Sequence, residues 1–294
     1  MCSFPFIIPL YMRILQGSHS GTWYPESPQV LRQIIINWEN ECFSTKGAKA
    51  VISPHAGYMY SGKVATQAIR SLKDYNKDLT IFILGPCHFR GKGFLLSQYD
   101  AYESPFGQLY LDREFISKLY STGLFSYISE ANEDQEHSIE MQIPLIKHFL
   151  PDSKIVPIYV GQVRDDDIER IALELNQYFI QSNVKFVISS DFCHWGNRFQ
   201  YMPMKKGILI SDFIESLDKE GIDLICKNQY IEFCEYLQTT SNTICGQNPI
   251  KLLLKMILNT QSRIHLVDYQ QSSKCKSSSD SSVSYAAICC YCSK

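Results

Sequence analysis

Along most of this chain, short runs of β-branched and aromatic residues alternate with longer segments of helical period, and few folds accept that pattern. The stretches "AKAVIS" (48–53), "LTIFIL" (79–84), "KIVPIYV" (154–160) and "VKFVISS" (184–190) are apolar throughout, as strands covered on both faces are. Between them, "PQVLRQIIINWENE", "GKVATQAIRSLKD", "SIEMQIPLIKHFL", "DDDIERIALELNQYFI", "GILISDFIESLDKE" and "NPIKLLLKMILNT" repeat apolar residues every three or four positions, the spacing of amphipathic helices. Two later runs, "RIHLVDYQ" (263–270) and "SVSYAAICC" (282–290), read as strands that close the sheet. The expectation is a single-domain, three-layer α/β/α fold around a central mixed sheet.

The chain's 294 residues suffice for one such domain, and no repeat or linker divides them. The stretch "SSKCKSSSDSS" (272–282) is too short to separate domains and reads as a polar surface loop. A formal net charge of −2 gives no overall field toward nucleic acid or an anionic membrane. No run reaches the ~20 apolar residues of a membrane span. Eleven scattered cysteines, an odd number, fit free thiols in a reducing cytoplasm better than a secreted disulfide framework. The opening "MCSFPFIIPLYM" has neither a basic start nor a cleavage signal, so residues 1–16 read as an extension and 17–288 as the domain. The Cys-rich tail, 289–294, is no prenylation signal, because Tyr291 stands fourth from the end. Strand alternation would separate Cys289 from Cys290, which disfavours a compact metal clip there.

Ligands in open α/β sheets collect beyond the carboxyl ends of strands. His55 follows the first apolar run, His88 the second, and Asp191 and His194 the last, in "FVISSDFCHWG". Each histidine alone reads equally as an ordinary loop residue; three in equivalent places point to convergence, and imidazole suits zinc, copper and iron. His137, His148 and His265 fall within elements and fit structural roles, while His19 is uncommitted. Cys245 precedes a helix expected to begin near Asn248, where a thiol is expected to ionise easily; a buried inert cysteine is the plainer reading.

Six ordered stretches, "SPHAGYMYSG", "IFILGPCH", "NEDQEHSIEMQIP", "VISSDFCHWGNRF", "NTICGQNPI" and "DSSVSYAA", resemble the Memo family from Gly17 to Ala287. The resemblance implies a fold similar to the class III extradiol dioxygenases, with His55, His88 and Cys245 as metal ligands and Asp191 and His194 as a catalytic-type pair. Trp23, Tyr60 and Trp195 match aromatics beside the same pocket. The family is described both as a copper-binding redox protein and as an adaptor that binds phosphotyrosine peptides and links receptor kinases to cell motility.

Two expectations of function follow. In the first, a thiolate ligand favours Cu(I), with zinc or iron as alternatives, so a copper-dependent redox role is expected and ring cleavage is not. In the second, the pocket is non-catalytic and binds a phosphopeptide of a signalling protein. His194 reads as a base oriented by Asp191, against the plainer reading of Asp191 as a turn cap. Glu136, His137 and Glu140 read as orienting the ligand imidazoles or as a capped helix start. Cys87, where the family more usually has serine, reads as a neutral swap or an added soft ligand.

Overall fold

The structure is a computed structural model that describes residues 12–41, 46–74, 78–89 and 91–292. Most of the N-terminal extension therefore lies outside the described residues. The main sheet comprises β2 (Ala50–Ser53), β3 (Thr80–Pro86), β4 (Phe94–Leu96), β7 (Phe125–Tyr127), β8 (Lys154–Val160), β9 (Val184–Ser189), β10 (His194–Trp195), β11 (Ser262–Gln271) and β12 (Ser282–Cys292). A small second sheet joins β1 (Ile14–Leu15), β5 (Ala101–Tyr102) and β6 (Leu109–Tyr110).

The main order is β10-β12-β2-β9-β3-β8-β4-β7, with β11 on β12. The central strands β2, β9, β3 and β8 are parallel, whereas β12 runs antiparallel to β2 and β4 antiparallel to β8. The sheet is mixed, as expected. Every residue of β2, β3 and β9 is buried, which is why their sequences are apolar without alternation.

Helices cover both faces. One group is α1 (Pro28–Asn40), α2 (Tyr58–Ser71) and α6 (Ile143–Phe149), which pack together with α2 against β2 and β12. Another is α7 (Asp165–Phe179), α9 (Tyr230–Thr240) and α10 (Gln247–Ile257), with α7 and α10 against β9. The remaining helices are α3 (Arg113–Ser121), α4 (Glu130–Glu133), α5 (His137–Glu140) and α8 (Ile210–Cys226). None of the described helices is long and apolar enough to cross a membrane.

Two local departures from the sequence pattern matter. The helix expected over 138–150 breaks into α5 and α6, with Pro144 in the first turn of α6, where its missing N–H costs nothing. The break turns Gln142 inward, so that its Nε2 donates to the Pro54 carbonyl at 2.9 Å and to Ser189 Oγ at 3.0 Å. The last strand also continues to Cys292, and Cys289 and Cys290 pair with β2.

Because β2, β9 and β3 are adjacent and parallel, their carboxyl ends open side by side. The residues just beyond them must share one crevice, and the turn before α10 closes against its floor. There Gly246 donates its N–H to Ser190 Oγ at 3.0 Å, and a Cβ at this glycine would sit 2.4 Å from Ser190 Cβ and 2.6 Å from the Ser189 carbonyl oxygen. Gly246→Ala is expected to cost about 2 kcal/mol of stability through forced backbone displacement. Urea unfolding midpoints test this; an unchanged midpoint with unchanged slope would refute it.

Candidate metal centre

His55 leaves β2 and is buried. Its backbone N–H donates to Asp191 Oδ1 at 2.8 Å, and its Nδ1 lies 2.8 Å from Ser189 Oγ. Ser189 Oγ spends its own proton on the Ser138 carbonyl at 2.6 Å, so it accepts from His55 Nδ1–H. The Nε2 lone pair is thereby aimed into the crevice, 3.2 Å from Cys245 Sγ. Burial, reinforced by the neighbouring His88, pushes the His55 pKa well below its ordinary value and keeps the ring neutral.

His88, beyond β3, is fixed by one carboxylate. Glu136 accepts its backbone N–H at 2.6 Å through Oε2 and its Nδ1–H at 2.8 Å through Oε1, while Oε1 also takes the Ser138 N–H at 3.0 Å. Burial opposes ionisation of Glu136, but these hydrogen bonds from His88 and Ser138 outweigh it and hold the carboxyl at about 2. His137, the first residue of α5, stacks on His88 with ring centroids 4.5 Å apart. Burial, and then the neighbouring His55 and His88, bring the His137 pKa down to about 3.

One nitrogen each from His55, His88 and His137 lie within 4.8 Å of one another. Three imidazoles at that spacing can hold a transition metal. The sequence pattern reads His137 as a helical residue that orients ligands; in the structure one of its nitrogens lies within 4.8 Å of those of His55 and His88, where it could itself be a ligand. Nothing in its local pattern distinguishes it, because only the break before α6 and the stacking on His88 bring it inward.

Cys245 touches His55 at the back of this group. Its Sγ accepts the Asp191 N–H at 3.2 Å. Burial, with the Asp191 charge adding to it, pushes the thiol up, opposite to the easy ionisation expected before a helix. Enclosure outweighs the helix terminus here. Cys87 is half-buried and takes N–H groups from Gly91 and Phe89, outside the histidine trio.

Asp191 and His194 both reach the crevice but are held separately. Asp191 is buried, which raises its pKa, while His194 and the His55 and Ala56 amides pull it back. His194 Nδ1 faces the carbonyls of Phe192 at 2.8 Å and Thr243 at 3.0 Å, so that nitrogen carries the proton and Nε2 is the basic atom. Backbone carbonyls, rather than Asp191, orient the ring.

The crevice widens into a cleft of ≈ 860 Å³ lined by the three imidazoles, Asp191 and His194, with Trp23 and Tyr60 among its walls. Trp195 is not part of the wall; its indole is buried and donates to the Pro203 carbonyl at 3.0 Å. Glu140 serves another histidine: it accepts from His19 Nδ1 at 2.7 Å, the His19 N–H at 2.9 Å and Tyr24 Oη at 2.9 Å. His19, uncommitted in sequence, is thus clamped 4.8 Å from Trp23 and 5.7 Å from His137.

Comparison with known proteins agrees with this arrangement of motifs. The family described as "Memo-like protein" matches residues 16–289. Protein MEMO1 of Mus musculus is 37% identical over 285 residues, covering 92% of this chain and 95% of that protein. Protein MEMO1 of Homo sapiens is 36% identical with the same coverage, and a MEMO1 family protein of Schizosaccharomyces pombe is 37% identical over 303 residues, covering 93% and 97%.

Proposed function

The chain belongs to the Memo family, and from that premise we propose that it binds copper as Cu(I) at the strand ends and serves a redox role there. The observation that carries this reading is the trio of His55, His88 and His137, each offering a nitrogen within 4.8 Å of the others. Cys245, in contact with His55 Nε2, supplies the soft donor that favours Cu(I) over iron. Zinc and iron remain the competing occupants of an imidazole set. Bound copper would supply one-electron chemistry.

The protein's own part is positional. Ser189 and Glu136 fix the tautomers of His55 and His88, so both rings present a lone pair rather than a proton. Asp191 braces the backbone at His55, and His194 offers a basic Nε2 at the cleft wall. The described cysteines are free thiols, which supports placing the protein in the cytoplasm.

The test is anaerobic Cu(I) competition titration of the full chain. His55→Ala is expected to abolish uptake at this site, and Cys245→Ser to weaken Cu(I) while sparing zinc. Unchanged copper stoichiometry in His55→Ala would overturn the metal reading; unchanged Cu(I) affinity in Cys245→Ser would remove sulfur from it.

Arg198, which is exposed and lies over the Phe199 ring at 4.5 Å, favours a second reading. With Ser272, Ser273 and Ser281 it gives the cleft a cation and hydroxyls suited to a phosphate, and Trp23 and Tyr60 line the same cleft. This is the adaptor reading, in which a phosphotyrosine peptide of a signalling protein docks without metal. Calorimetry of metal-free protein with such a peptide is expected to show binding that Arg198→Ala weakens; no heat at millimolar peptide would dismiss it.

A further inference from the structure

The alternation that separates Cys289 from Cys290 brings a different pair of thiols together. Along β12, Cys289 and Tyr291 face one way, and Tyr291 stacks on His265 of β11 with centroids 5.3 Å apart. Cys290 and Cys292 face the other way, opposite Ile264 and Ser262. The two thiols are thus neighbours on one face of the strand, each the largest influence on the other's ionisation, and Ser262 Oγ lies 3.3 Å from Cys292 Sγ. Cys290 is buried, whereas Cys292 is exposed and lines a recess of ≈ 540 Å³ beside Gln261–Arg263 and Tyr291.

A cation acts on both sulfurs. The Lys49 ammonium acts on both Cys290 and Cys292 while it donates to the Gln181 and Val184 carbonyls. The Cys290 contact first, then Ser262 and last the Lys49 charge lower the Cys292 pKa against burial, while the same contact raises that of Cys290. The pair is remote from the cleft. Val283, in the cleft wall, and Cys292 are separated by nine steps along one strand, roughly 30 Å.

We propose that Cys290 and Cys292 form a second metal site, separate from the histidine cluster, that takes a soft monovalent cation of the Cu(I) class. Two sulfurs satisfy the linear, two-coordinate preference of such a cation but leave zinc, which takes four ligands, incomplete. Binding forms two S–Cu bonds and releases the thiol protons to solvent; no electrons move. The product carries one negative charge, which Lys49 offsets. A disulfide is the poorer use of the pair, because Cα atoms two residues apart in a strand are ~6.7 Å apart, near the upper limit for a bridge.

The experiment is Cu(I) titration of the fully reduced, full-length protein without oxygen, against a chromogenic Cu(I) chelator, with ultraviolet thiolate-to-copper absorption recorded. Cys292→Ser, at an exposed position that leaves the fold least disturbed, is expected to take up one equivalent fewer and to lose part of that absorption. His55→Ala is expected to keep both of the features that Cys292→Ser loses, which separates this site from the strand-end cluster. Unchanged stoichiometry and absorption in Cys292→Ser would overturn the proposal. So would a loss in Cys292→Ser that folded Cys290→Ser does not share, since a single thiolate would then be the ligand.

Discussion

Glu136→Gln is expected to weaken metal binding at the histidine trio about 10- to 100-fold while leaving every proposed ligand in the chain. The carboxylate accepts three N–H donors through two oxygens, from the His88 backbone, the His88 ring and Ser138. An amide has one acceptor oxygen, so its NH2 must face at least one of those donors. If the NH2 meets the ring, His88 is driven to the tautomer that carries its proton on Nε2, the atom needed for the metal. If it meets the His88 backbone, a part-buried N–H loses its partner at a cost of about 1 kcal/mol. Either arrangement moves His88, and the stacked His137 with it. Competition titration of the variant tests this, and wild-type affinity would show that the Glu136 contacts do not govern the ligand geometry.

The same residues explain how far the site was legible in the sequence. His55, His88, Asp191 and His194 could be found because parallel strands bury both faces, so the change from apolar to polar marks the end of each strand. Their convergence follows from the adjacency of β2, β9 and β3, which sequence order does not reveal. His137 was hidden because α5 is a single turn, too short to show a period, and its inward position depends on the break before α6. For Cys245 the easy ionisation suggested by the helix start gives way to the buried reading, because a helix start is visible in sequence but the enclosure that overrides it is tertiary. The pairing of His19 with Glu140 spans 121 residues and has no local signal at either end. For the fold, the helices α3 and α9 and short strands such as β4 and β7 escaped the pattern; β4 and β7 carry only three residues each, too few for a period.

Stability is expected to fall by ~3 kcal/mol, relative to a Glu133→Gln variant, as pH rises from below 4.5 to above about 7. Glu133 ends α4, four residues before His137, and its carboxyl is buried against the hydroxyl of Tyr102, which in turn lies 3.0 Å from that of Tyr159. Burial raises its pKa from 4.5 to about 7, although hydrogen bonds from Ser97, Tyr102 and Tyr159 oppose the change. The folded chain therefore keeps a proton that the unfolded chain releases near 4.5. Its stabilising contribution is complete below that pH and is lost as pH passes through about 7. The amide of Glu133→Gln does not titrate, but it retains an oxygen for Tyr102, so its unfolding free energy lacks this component. The buried histidines also titrate, and the informative quantity is the difference between wild type and variant, in which their contributions cancel. Urea unfolding at pH 4 and pH 8 measures it. Parallel pH profiles would mean that Glu133 is ionised in the folded protein, and that the Tyr102–Tyr159 pair, rather than a retained proton, keeps the segment leading to Glu136 and His137 in place.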